Sequence, residues 1–215
     1  MLEVMDQKSI ERIKKFMRKF YDKRAKFYDE IQFSNQPFHE ELDSFKRLVK
    51  IKGDELVLDV ATGTGIYLIE MAKKGAICYG LDISPNMLNK LKNKIEKLKI
   101  DNIKEVRTGE ADKLPYPSGM FDWITCIGLL EYYPLSYAKN VLTEIKRVLK
   151  VDGKCFIDIP NPSLGDVYRL KHIYLHDPKK FEEICKELQF TVIEKKKAGL
   201  MIQYLLKNLI LGKKF

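Results

Sequence analysis

The chain contains no apolar run long enough to cross a bilayer, and its first residues are charged where a secretory leader needs an apolar core. A cytoplasmic protein is therefore expected. Cysteine is scarce: Cys78, Cys126, Cys155 and Cys185 lie far apart, without C-x-x-C spacing. That pattern argues against a disulfide framework, implies no metal site, and suggests buried free thiols. Internal repeats, linkers and low-complexity tracts are also missing. At 215 residues the chain suits one α/β domain spanning 1–215, with no room for a separate substrate domain.

Charge is present in excess of one sign, with a formal net charge of +9. Nucleic acid or acidic lipid would suit such a surface. However, the lysines are spread through residues 90–99, 195–197 and the N-terminal segment, interleaved with acids. Solvation of the surface explains them more simply, and direct nucleic-acid binding is not favoured.

The most informative stretch runs from Leu56 to Gly65. Val57, Leu58 and Val60 favour a doubly buried strand, Asp59 supplies an acid, and Gly63 and Gly65 make a turn without side chains. Residues 66–74 then carry apolar positions at helical spacing, and Gly75 closes that helix. A second strand over 76–83 ends in Asp82, about 20 residues beyond the turn, where a strand-end carboxylate can grip ribose hydroxyls. A dinucleotide site wants a third glycine where Leu68 stands, and Asp59 would face its phosphates. S-adenosylmethionine has an ammonium and a sulfonium instead, so an acid before the turn is useful.

Asp59-Val60-Ala61-Thr62-Gly63-Thr64-Gly65 resembles the first motif, D-x-G-x-G-x-G, of class I S-adenosylmethionine-dependent methyltransferases, with Ala61 in the first glycine position. Such variants are familiar in the ubiquinone/menaquinone (type 11) branch. Leu81 to Leu88 is similar to the second motif, which implies that Asp82 binds the ribose, with Ile83 beside it and Met87 packed on the adenine. Gly109 to Ile124 resembles the third, with Glu110 at the adenine amino group and Ala111 offering backbone. In the fourth segment, Trp123 to Pro134, the likeness implies that Cys126 and Ile127 meet the cofactor and that Glu131, Tyr132 and Tyr133 face the acceptor. Glu131 and Tyr133 are the catalytic candidates, although the two tyrosines could equally be packing residues ahead of a helix.

Residues from Lys8 to Ile31 show one or two amphipathic helices, and Phe20 to Asp29 resembles the F-D-x-x-A-x-x-Y-D segment that caps the cofactor in small-molecule methyltransferases. Tyr28 is the implied lid residue with Tyr21 behind it; the alternative is that both simply fix a helix to the core. A helix over 138–150, a turn at 151–154, a strand over 155–159 and a helix over 178–188 follow, then an antiparallel pair over 190–196 and 202–211, the last of which could also begin as a helix. Asn161-Pro162 lies after the fifth strand, whereas the N-P-P-Y motif of nucleic-acid amino methyltransferases follows the fourth. His172 and His176 could share a helix face and suit a metal, but polar positions in a variable insertion are the plainer reading.

The resemblance implies a Rossmann-like three-layer α/β sandwich. Its mostly parallel seven-stranded sheet would have the order 3-2-1-4-5-7-6, the last strand antiparallel. Residues 1–50 would form a helical lid, 51–160 the cofactor core and 161–215 the substrate-side insertion and closing strands. S-adenosylmethionine would donate a methyl group to a small-molecule acceptor. An RNA or protein methyltransferase, or a non-catalytic S-adenosylmethionine-binding protein, are the alternatives.

Overall fold

The computed structural model describes residues 5–164 and 173–209. In chain order the elements are α1 (Gln7–Arg24), α2 (Tyr28–Phe33), α3 (Gln36–Leu48), β1 (Leu56–Val60), α4 (Ile66–Ala72), β2 (Ile77–Asp82), α5 (Pro85–Leu98) and β3 (Ile103–Thr108). They continue with β4 (Phe121–Cys126), a 3-10 turn (Leu130–Tyr132), α6 (Leu135–Val148), β5 (Leu149–Pro160), α7 (Pro178–Glu187), β6 (Phe190–Ala198) and β7 (Met201–Asn208); a second 3-10 turn spans Pro162–Leu164.

Strand alternation builds two apolar faces at once. Leu58, Val60, Ile124, Ile157 and Leu206 bury on one side, while Val57, Trp123, Phe156 and Leu205 bury on the other. A sheet buried on both faces needs helices on both. Val141, Leu142, Ile145 and Val148 of α6 and Phe181 and Ile184 of α7 cover the first face. Leu68 and Met71 of α4, Leu88 and Leu91 of α5, and Phe38, Leu42 and Phe45 of α3 cover the second.

The sheet order is β3-β2-β1-β4-β5-β7-β6. Pairing is parallel from β3 through β5, and β7 runs antiparallel between β5 and β6. The expected Rossmann-like sandwich is therefore the observed one. The chain reverses direction across the sheet between β1 and β4, and in such sheets the crevice at the carboxyl ends of these strands receives the ligand. Ala61, Ile83, Ile127 and Asn161 are the residues that leave the strands there.

Three details differ from the sequence expectation. The helix α3 falls inside the 1–50 stretch expected to be a helical lid, but it packs in the sandwich, with Phe45 edge-on to Phe156 at 5.3 Å. β5 begins at Leu149, because Leu149 pairs with Phe121 before a register shift, and the expected turn at 151–154 is bulged strand with Asp152 at φ 63°. β7 is a strand, paired along both edges, which removes the helical alternative for its start.

Gly65 caps α4 at φ 80°, and a Cβ there would overlap the fully buried Leu91 side chain. Gly65→Ala combines left-handed strain of about 1–2 kcal/mol with overpacking of about 1–3 kcal/mol. Urea unfolding should show a loss within that summed range; an unchanged midpoint would contradict the packing.

Candidate active site

The turn after β1 is held from below. Asp59 is 2% exposed, and its two carboxylate oxygens accept the hydroxyls of Thr62 at 2.7 Å and Thr125 at 2.5 Å. Burial pushes its pKa up to about 6 even though both hydroxyls pull it down. Ala61, at the position where the motif usually has glycine, adopts φ 60°, a left-handed conformation that costs an alanine about 1 kcal/mol. Asp82, 7% exposed at the end of β2, accepts the Gly63 N–H at 2.8 Å and the Ser84 N–H at 2.8 Å. Burial likewise raises Asp82 to about 6, opposed by these amides.

Two cavities open above the strand ends. The first is lined by Asp82, Ile83, Met87, Glu110, Ala111 and Tyr133, among others. The second, of about 410 Å³, is lined by Arg24, Glu41, Tyr67, Glu131 and Asp158 together with Phe16, Phe20 and Phe38. They share a wall made by Tyr21, Tyr28, Ala61, Gly63, Gly128 and Tyr132. A ligand in the first and a ligand in the second would meet at that wall.

The N-terminal helices roof the cavities, tied by polar contacts to three loops. Lys14 of α1 is 3% exposed and its ammonium reaches Glu110 at 2.8 Å and Asp112 at 2.9 Å. Burial would lower the Lys14 pKa, but the hydrogen bonds to Glu110, Asp112 and Glu11 outweigh it and raise the value. Asp22 accepts the Ser84 hydroxyl at 2.6 Å and the Asn86 N–H at 3.2 Å. Asp29 of α2 accepts the Thr64 hydroxyl at 2.5 Å and pairs with Lys94 at 2.5 Å. Tyr28 is packed against Tyr21, takes a hydrogen bond from Gln32 at 2.8 Å, and is raised by burial to about 12.

Of the residues expected from sequence, Tyr28, Ala61, Gly63, Asp82, Ile83, Met87, Glu110 and Ala111 line the cavities. Asp59, Gly65 and Cys126 lie beneath them and support the turn and the sheet. Glu131 and Tyr133 part company. Glu131 lines the larger cavity, whereas Tyr133 lines the first and stacks on Tyr137 at 4.1 Å. His176 is buried with its Nε2 2.9 Å from the Leu130 carbonyl, and burial lowers its pKa. His172 lies outside the described residues.

Arg24, Glu41, Tyr67 and Asp158 escaped the sequence reading. Asp158 is 1% exposed; its Oδ1 accepts the Gly128 N–H at 2.9 Å, and its Oδ2 has no partner among the described residues. Burial, then the nearby Glu131, hold its pKa well above the usual carboxylate range. Burial also raises Glu131, and it raises Glu41 to about 7 against the Leu200 N–H that Glu41 accepts at 2.9 Å.

Sheet order, the acid-ended strands and the paired cavities together define a class I methyltransferase. Residues 58–157 match the family described as methyltransferase domain. The demethylmenaquinone methyltransferase of Bacillus mycoides (strain KBAB4) is 32% identical over 195 residues, covering 85% of this chain and 79% of that protein. The chain belongs to the S-adenosylmethionine-dependent methyltransferases, in the type 11 branch. Two solved structures share the fold. Magnesium protoporphyrin IX methyltransferase from Synechocystis PCC 6803, solved with bound SAH, has a TM-score of 0.73 at 18% identity over 90% of this chain and 98% of that one. The complex of the Haloferax volcanii Trm112 methyltransferase activator with a methyltransferase gives 0.77 at 16% identity over 91% and 99%.

Glu41 yields a pH test. Its folded pKa of about 7 exceeds the ordinary 4.5, so its proton stabilises the fold at pH 5, and that contribution disappears as pH rises through 7. The melting temperature should fall between pH 5 and pH 8.5, and fall less in Glu41→Gln. Parallel profiles for the two proteins would contradict the burial assigned to Glu41.

Proposed function

We propose that this protein binds S-adenosylmethionine in the first cavity and transfers its methyl group to a small molecule held in the second. The supporting observation is Asp82: a buried carboxylate at the end of β2, lining the first cavity, with a second lone pair on each oxygen beyond its two backbone amides. Those lone pairs suit the two hydroxyls of a ribose. Ile83, Met87 and Ala111 form an apolar slot for a purine, with Glu110 within reach of its amino group. Gly63 has open space where a Cβ would stand, so backbone can approach the methionine portion.

The bound sulfonium would supply an activated methyl group, so the chain's own work is positional. Tyr28 and Tyr21 line the junction and would exclude water, and Gly128 and Ala61 bring only backbone and one methyl group to it. Glu131 lies on the acceptor side, where burial raises its pKa and makes its carboxylate a stronger proton acceptor than an exposed one. Tyr133 lines the first cavity, stacked on Tyr137, and so lies away from the acceptor side. The aromatic lining of the second cavity, and the name of the demethylmenaquinone methyltransferase relative, favour a quinol acceptor as a second reading. Four unpaired thiols buried in the fold support a reducing, cytoplasmic setting.

Asp82→Ala removes charged hydrogen bonds worth about 1.5–3 kcal/mol, so S-adenosylmethionine should bind roughly 10- to 100-fold more weakly by calorimetry at a temperature where the variant is folded. Unchanged affinity would remove the ribose assignment.

A further inference from the structure

The larger cavity carries more acid than a neutral acceptor requires. Glu41 enters from α3, Glu131 from the 3-10 turn after β4, and Asp158 from the end of β5. Against these three carboxyl groups stands one cation, Arg24, among the described residues that line the space. Asp158 is the most exacting of the three. It is buried, one oxygen is fixed by Gly128 at the wall shared with the first cavity, and the other has no partner among the described residues. An unpaired oxygen on a buried carboxyl group costs folding free energy, and a ligand that donates a hydrogen bond to it recovers that cost.

The kind of donor follows from the arrangement. Among the described residues, no three His, Cys, Asp or Glu side chains converge closely enough to hold a metal ion, so the carboxyl groups surround a cavity of about 410 Å³ instead of pinching one point. A space of that size fits an organic molecule. Tyr21, Tyr28, Tyr67 and Tyr132 line it too, and their ring faces attract cations. A quinol acceptor, by contrast, develops negative charge on oxygen as it loses its proton, and carboxyl groups give that charge no stabilising counter-charge, whereas a bound ammonium would favour their ionised form. Each acid already feels the others: Asp158 is raised by Glu131 and Glu41, and Glu41 by Glu131.

We propose that the methyl acceptor is a small aromatic or alkyl amine, held as its ammonium form by Asp158, Glu41 and Glu131 and methylated on that nitrogen. The inference rests on the methyltransferase reading given above. The ammonium passes one proton to the Glu131 carboxylate, which becomes the neutral acid. The freed nitrogen lone pair then forms the N–C bond while the S–C bond breaks and its electron pair stays on sulfur. The product is a methylated ammonium and a neutral thioether, and the proton on Glu131 returns to solvent on release. Asp158, fixed at the shared wall by Gly128, keeps the nitrogen beside the methyl group.

The test compares phenethylamine with its neutral counterpart 2-phenylethanol, each titrated calorimetrically into the full-length protein saturated with S-adenosylhomocysteine. The amine should bind at least tenfold more tightly. Asp158→Asn, which keeps the shape, should reduce that preference severalfold while leaving S-adenosylhomocysteine affinity within twofold, and Glu131→Gln should act in the same direction. Labelled methyl transfer from S-adenosylmethionine should reach amines in preference to 1,4-naphthoquinol. Equal binding of amine and alcohol, a preference untouched by both substitutions, or transfer to the quinol alone would overturn the proposal with the methyltransferase reading intact. If the wild-type protein does not bind S-adenosylhomocysteine at all, that reading fails and the inference falls with it.

Discussion

Everything above the strand ends depends on a carboxylate that never meets solvent. Asp59 is buried by the closing of β1 against β4, and burial on that scale is tolerated only because two hydroxyls, from Thr62 and Thr125, reach both of its oxygens. One threonine belongs to the turn and the other to β4, so the acid ties turn, β1 and β4 into one unit. That unit fixes where Ala61 and Gly63 expose their backbone. Asp82 repeats the device from β2, holding the Gly63 and Ser84 amides and so aligning the turn with the start of α5. Both acids are raised to about 6, the mark of charges kept in a poorly solvated place by hydrogen bonds alone.

The roof is attached by apolar and polar contacts together. α1 buries Ile10 and Met17 in the core on the α6 side of the sheet, and Lys14, Asp22 and Asp29 each reach a loop that borders the first cavity. Lys14 is buried with its ion pairs, whereas Asp22 and Asp29 are half-buried and their contacts are individually weak. α3 is buried against the opposite face of the sheet by Phe38, Leu42 and Phe45. Its Glu41 is consequently a fixed part of the larger cavity.

How much could be read from residues alone follows from this division. Strand, acid, glycine turn and second acid are local, and β1, α4, β2 and Asp82 were legible from period and spacing. The role of Asp59 was less so: adjacency to the turn suggested a ligand contact, whereas the threonines that occupy it come from the turn itself and from 66 residues away. Asp158 sits in Phe156-Ile157-Asp158-Ile159 as one polar residue in an apolar strand, and nothing local says which way it faces. Glu41 is one charge among several on a helix that periodicity did not single out. Those two meet Glu131 only because β5 lies beside β4 and α3 packs over the same strand ends, a tertiary fact with no sequence signature. Glu131 and Tyr133, two positions apart, were both expected to face the acceptor, but the 3-10 turn sends them to different cavities.

The central claim is that one wall, made by Ala61, Gly63, Gly128 and Tyr28, separates a nucleoside site from an acceptor site so that a methyl group crosses it. A crystal structure with S-adenosylhomocysteine bound tests this most directly. The account predicts both ribose hydroxyls on Asp82, the adenine between Ile83 and Met87, and the sulfur at the shared wall, directed toward the cavity that holds Glu131 and Asp158. A nucleoside seated in the larger cavity, or a sulfur directed away from it, would contradict the account.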